Sequence, residues 1–156
     1  MENIVILGLD YEYNIKVGKT LSDNLGMFFL DFKEYVEYNL FSTKDMLEKC
    51  GKEYLLKQEK KCVESASEFE NTVICMPFSY FFEQNAYKLF KSAYKVYVYF
   101  SKNKLSKLHS GDTIAVDLIA FNDRDKDLTN VSDLKLCVGN KKITTVCQDI
   151  SKKIEG

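Results

Sequence analysis

The chain is short of several residue types, and each shortage removes a class of chemistry. Its 156 residues include one histidine, His109. A single imidazole cannot build a multi-histidine metal centre or an HExxH zinc site. There is one arginine, Arg124, and lysine supplies the rest of the 22 basic residues. Lysine is a point charge without the planar fork that grips phosphate or carboxylate through two parallel bonds. Tryptophan is absent and proline occurs once, at Pro77. Neither sign of charge dominates, since 22 basic against 23 acidic side chains leave a formal charge of -1. A protein that holds nucleic acid through its phosphates carries a basic excess, so no nucleic-acid partner is expected. No apolar run approaches the roughly 18 residues of a membrane span, so no membrane partner is expected either.

Five cysteines occur, Cys50, Cys62, Cys75, Cys137 and Cys147, odd in number and never spaced CxxC. Met1-Glu2-Asn3 leads straight into a short apolar run with no secretory pattern. The expectation is reduced thiols in a cytoplasmic protein. With 46% hydrophobic and 29% charged residues, the composition is that of one globular domain over residues 1–156.

What is there is a series of short apolar runs. Asn3 to Leu7 (NIVIL), Met27 to Leu30 (MFFL), Thr72 to Met76 (TVICM), Tyr94 to Phe100 (YKVYVYF) and Leu134 to Val138 (LKLCV) read as buried strands. Between them lie helical patterns. Ile15, Gly18, Leu21, Ser22 and Leu25 are at helical spacing, with Gly26 as a stop, and the helix is expected to begin near Asn14. Further helices are expected over Phe32 to Asn39, Ser42 to Cys50, Lys52 to Ser65, Gln84 to Ser92 and Thr145 to Ile154, with Ser42 and Asp45 as a capping pair. Ser101 to Asn122 reads as two short helices broken at Ser110-Gly111. Strands alternating with helices predict an α/β fold, a parallel sheet with helices on both faces. Ligands of such sheets bind at the carboxyl ends of the strands, here after Leu7, Leu30, Met76, Phe100 and Val138.

The triplet Gly18-Lys19-Thr20 invites reading as a phosphate-binding loop, but its spacing is wrong. The motif needs a glycine five residues before Gly18, and that position is Tyr13. A helix starting at Lys19 would reach Gly26 in under two turns, so the triplet is placed inside a helix instead. The order of elements nonetheless resembles the shikimate kinase family of small P-loop kinases. Gly8, Val17-Gly18, Leu25-Gly26 and Phe29-Leu30-Asp31 fall on the family's opening pattern GxxGxGKSTxGxxLAxxLGxxFxDxD. Ser42 to Glu59 resembles its SIxEIFxxxGExxFRxxE, Val96 to Tyr99 its VVYL strand, and Arg124 to Asp133 its RxxxYxxxAD segment. The resemblance spans nearly the whole chain. It implies a three-layer sandwich around a five-stranded parallel sheet of order 2-3-1-4-5, with a shortened lid region at residues 101–122.

The family's working residues are mostly replaced. In the places the resemblance assigns, the phosphate-loop glycines are Tyr11 and Tyr13, the phosphate-binding lysine is Asn14 and the magnesium-binding serine is Ile15. The second aspartate of the DxD pair is Lys33, the arginine that follows phenylalanine is Leu56, and the triple glycine is Pro77-Phe78-Ser79. Asp31 and Arg124 remain. A phosphate nest depends on glycines that turn successive N–H groups inward. Phosphoryl transfer rests almost wholly on positioning and charge, and each lost contact of this kind costs about 2–4 kcal/mol.

The candidate residues each admit two readings. Asp31 could orient a metal-bound water, or cap a helix or pair with Lys33. Arg124 could bind a carboxylate, or be paired with Asp123, Asp125 and Asp127 in a solvated loop. Those three aspartates lack the glycine and glutamate of a calcium loop, so no metal site is assigned. Gly8, Lys16 and Lys19 are the nucleotide-binding candidates, although lysines on a helix face are usually solvated. Tyr11, Tyr13, Phe78, Tyr80, Phe81 and Phe82 either surface a pocket or fill vacated ones. The favoured expectation is a catalytically degenerate binding or regulatory module for a protein partner or a small anionic ligand, with no cofactor. The alternatives are a divergent kinase for shikimate or a similar hydroxy-acid, using ATP and Mg with Lys16 or Lys19 as a relocated phosphate lysine, and a binder with an apolar strand-end pocket.

Overall fold

The five apolar runs form strands of one parallel sheet in the computed structural model, which describes residues 2–40, 43–83, 85–101, 103–105 and 120–155. The strands are β1 (Ile4–Leu7), β2 (Phe28–Asp31), β3 (Thr72–Cys75), β4 (Tyr94–Tyr99) and β5 (Leu134–Cys137). Each lies within a residue of its predicted bounds. Their order is β2-β3-β1-β4-β5, with every pairing parallel.

Alternation along the strands builds the two faces. Ile4 and Ile6 of β1 join Val73 and Cys75 of β3 in one apolar cluster. Val5, Leu7 and Ile74 face the other way. The first face is covered by α1 (Tyr11–Leu25) through Val17 and Leu21, and by the closing helix, here α6 (Ile143–Glu155), through Val146, Cys147 and Ile150. The second face is covered by α2 (Phe32–Leu40) and α4 (Lys52–Ser67), with α3 (Thr43–Cys50) between them in the chain, and by α5 (Phe121–Val131). The architecture is the expected sandwich. All of the core strand β1 is buried, as a central parallel strand must be.

Three local expectations are corrected. The first helix starts at Tyr11, not near Asn14, because Asp10 caps it: its carboxylate accepts the Tyr13 N–H at 3.1 Å. Gly18-Lys19-Thr20 does lie inside that helix. Gln84 to Ser92 is not one helix. A π-turn (Ser79–Glu83) and a 3-10 turn (Ala86–Lys88) stand there, separated by Asn85 in the left-handed region at φ 58°. Phe81, Ala86 and Phe90 are buried without helical continuity. Lastly, Arg124 is not in a loop but in the first turns of α5. Phe121 and Leu128, two turns apart, are the buried residues of this largely polar helix, Phe121 in the first apolar cluster and Leu128 in the second. The Ser42 cap and the paired helices around Ser110-Gly111 lie outside the described residues.

Candidate functional site

β1 and β3 are neighbours whose chains leave toward opposite faces, to α1 on one side and to the aromatic turn on the other. Such a switch point is where open α/β sheets bind ligands. A cleft of about 290 Å³ opens there. Gly8 and Leu9 line it from the end of β1, and Pro77, Phe78 and Ser79 from the end of β3. Tyr11 of α1 and Arg124 of α5 complete it.

Only Gly8, Leu9 and Asp10 connect β1 to α1. Helix N-termini attract anions because their first N–H groups lack partners. Here the chain supplies its own anion, since the Asp10 carboxylate takes the Tyr13 N–H. Glu12 adds a second carboxylate in the first turn. The next side chain down is Asn14, 1% exposed, whose amide donates to the Gly8 carbonyl at 3.1 Å. A Cβ on Gly8 would come within 2.8 Å of both Asn14 Oδ1 and the Val98 carbonyl, so glycine is required by close approach. Asn14 Oδ1 and Tyr13 Oη are buried without a hydrogen-bond partner among the described residues. The Tyr13 ring packs edge-on against Phe100 at 4.8 Å.

Tyr11 closes the space on the other side. Its hydroxyl lies 2.5 Å from Asp31 Oδ1 at the end of β2 and 2.9 Å from the Cys75 carbonyl at the end of β3. The Lys33 N–H donates to the same oxygen at 3.3 Å. Burial, and next the Asp31 carboxylate, push the Tyr11 hydroxyl far above the usual tyrosine range, so it stays protonated. Asp31 Oδ1 also accepts the Glu34 N–H at 3.2 Å, which caps α2.

Of the residues singled out in the sequence, Gly8 and Arg124 line the cleft, and Asp31 meets it through Tyr11. The Arg124 guanidinium carbon lies 4.9 Å from the centroid of the Phe78 ring, a cation–π contact. Lys16 and Lys19 are both exposed on α1, which runs away from the cleft. At the helical rise, Lys19 is about 12 Å along the axis from Tyr11. Its ammonium lies 5.9 Å from the Phe29 ring on the edge strand. Neither lysine is among the residues that line the cleft with Gly8 and Arg124. Two contacts had no signal in the sequence beyond aromatics near strand ends: Tyr11 to Asp31, and Tyr97 to Asp125, 2.8 Å apart.

Sheet order, helix placement and a cleft at the β1–β3 switch point define an α/β protein of the P-loop kinase fold. The chain belongs to the shikimate kinase family, whose model matches residues 16–155. It superposes on the shikimate kinase of Aquifex aeolicus with a TM-score of 0.78 at 25% identity, over 99% of this chain and 96% of that one. The shikimate kinase of Acinetobacter baumannii in complex with shikimate gives 0.81 at 17% identity, over 99% and 93%. That of Bacteroides thetaiotaomicron gives 0.78 at 13%, over 99% of each chain. No curated protein matches in sequence. Among the described residues, no helix is long and apolar enough to cross a membrane.

Proposed function

We propose that this member of the shikimate kinase family has given up phosphoryl transfer and works as a non-catalytic binding module, taking a small anionic ligand in the cleft beside Arg124. One observation carries the reading. Where the family's phosphate loop would stand, the chain passes from β1 to α1 through Gly8, Leu9 and Asp10 alone, and Asp10 occupies the helix N-terminus.

The family uses ATP and Mg, and the residues here do not fit them. At the place of the phosphate lysine, Asn14 is buried and spends its amide on the Gly8 carbonyl. At the place of the magnesium ligand, Ile15 offers only hydrocarbon, packed against the core. Tyr11 and Tyr13 bring rings where glycines would leave room, and Asp10 and Glu12 repel a triphosphate.

The cleft supports the binding half of the reading. It keeps a cation, Arg124, a hydroxyl, Ser79, and the backbone of Gly8 and Leu9 around about 290 Å³. A second reading, a divergent kinase of shikimate or a similar hydroxy-acid, draws on the retention of Asp31 at the rim. Incubation with MgATP and shikimate, followed by quantification of ADP and of phosphorylated acid, separates the two. The proposed reading expects no product above an enzyme-free control. Turnover that Asp31→Asn abolishes would establish the kinase instead.

A further inference from the structure

Arg124 and Asp125 are consecutive residues of α5, so their side chains leave the helix about 100° apart. Arg124 reaches the cleft and the Phe78 ring. Asp125 turns to the sheet, where its Oδ1 accepts the Tyr97 hydroxyl at 2.8 Å and lies 3.4 Å from the Lys135 ammonium. Tyr97 is 1% exposed, in the middle of β4. The Lys135 ammonium lies over the Tyr99 ring at 4.5 Å, so it too has a fixed place.

The start of α5 needs such an anchor. Ala120, its capping residue, makes no side-chain cap. Phe121 packs into the apolar cluster on the α1 side of the sheet, and Leu128, with half-buried Val131, into the opposite one. Between Phe121 and Leu128, across the turns that carry Arg124, no apolar side chain is buried. A part-buried, directional hydrogen bond in that interval fixes the rotation of the helix where the apolar contacts do not.

We propose that Tyr97 and Asp125 are positioning residues for Arg124: their hydrogen bond sets the rotation of the first turns of α5 and holds the guanidinium against Phe78 at the mouth of the cleft. The inference rests on the cleft being the ligand site, and its first test needs no ligand.

Because Arg124 is the sole arginine, the protein gives a single guanidinium Nε–H signal in a nitrogen-15 NMR spectrum. The Phe78 ring current displaces that signal, and Phe78→Leu supplies its position without the ring. In Tyr97→Phe the signal moves toward the Phe78→Leu position while the backbone spectrum outside α5 stays as it was. Asp125→Ala, at a partly exposed side chain, gives the same movement and serves if Tyr97→Phe does not fold. Asn3→Ala breaks hydrogen bonds at the opposite end of the sheet and leaves the signal in place. A wild-type signal position in both Tyr97→Phe and Asp125→Ala overturns the proposal, as does an equal movement in Asn3→Ala. Titration with shikimate as the probe then tests the cleft. Wild type shifts its Nε–H on addition, and Tyr97→Phe binds about tenfold more weakly. If wild-type Nε–H ignores shikimate, the cleft is not a site for that acid, and the ligand-free spectra alone decide whether Tyr97 positions Arg124.

Discussion

The hydroxyl of Tyr11 lies 2.5 Å from the carboxylate of Asp31, tying the start of α1 to the end of β2. With the Cys75 carbonyl 2.9 Å from the same oxygen, one side chain bridges the ends of two strands at the floor of the cleft. Tyr11 is thus a structural tie between α1, β2 and β3. Tyr11→Phe keeps the ring and removes the hydroxyl, whose single proton Asp31 and the Cys75 carbonyl share and whose oxygen accepts the Lys33 N–H. It lowers stability by about 1–3 kcal/mol. The midpoint of urea unfolding at pH 7 measures the loss, and an unchanged midpoint would show that the tie is idle.

Among the described residues, three tyrosines donate to carboxylates in this way: Tyr11 to Asp31, Tyr80 to Glu59 and Tyr97 to Asp125. Burial first, and the accepting carboxylate second, raise all three hydroxyls above the ordinary tyrosine range. The unfolded chain therefore releases these protons near pH 10 while the folded chain keeps them. A raised folded value gives stability that is complete below pH 10 and declines as the pH climbs beyond it. For Tyr97, at 1% exposure, the slope approaches about 1.4 kcal/mol per pH unit. Unfolding midpoints between pH 9 and 11.5 should fall, and fall less steeply in Tyr97→Phe. Equal slopes in the two proteins would contradict the assignment.

Gly18 sits where α1 crosses the sheet, and a Cβ there would meet Cys75 Sγ at 2.6 Å and a Phe29 ring carbon at 2.8 Å. Phe29 is half-buried and can swing outward, but Cys75 is fully buried and cannot. Alanine is the better helix former by about 1 kcal/mol. The clash reverses that preference, and Gly18→Ala destabilises by about 1–3 kcal/mol. Adding Cys75→Ala to Gly18→Ala restores part of the loss. Failure of the second substitution to compensate, read from urea midpoints in a double-mutant cycle, would place the strain elsewhere.

The central strands were legible because they are covered on both faces. Ile4 and Val73 pack into one apolar cluster and Val5 and Ile74 into the other, so Ile4–Leu7 and Val73–Cys75 are continuous apolar runs, while the partly exposed edge strands β2 and β5 keep only short ones. The resemblance to shikimate kinases was legible for the same reason, since it rests on scaffold positions such as Gly8, Gly18 and Gly26. The helix over Phe121 to Val131 was not. Two buried residues among three aspartates give too little periodicity, and a tertiary bond from Tyr97 completes what the pattern lacks. Nor was the break at Asn85, where a left-handed residue divides a stretch of sound helix formers. At the site, Gly8 and Arg124 could be read from the sequence as candidates, but the contacts made by Asp10 and Tyr11 could not. Asp10 reads as a cap only once the helix is known to start at Tyr11, and the partner of Tyr11 lies 20 residues away.

On the proposed reading, the start of α1 does not receive a triphosphate. Calorimetric titration of the purified protein with MgATP, against a heat-of-dilution control, is the decisive measurement. The expected result is dilution heat only, at high-micromolar protein and millimolar nucleotide. A saturable one-to-one isotherm would contradict it, and would mean that Asp10, Tyr11 and Asn14 give way to phosphate.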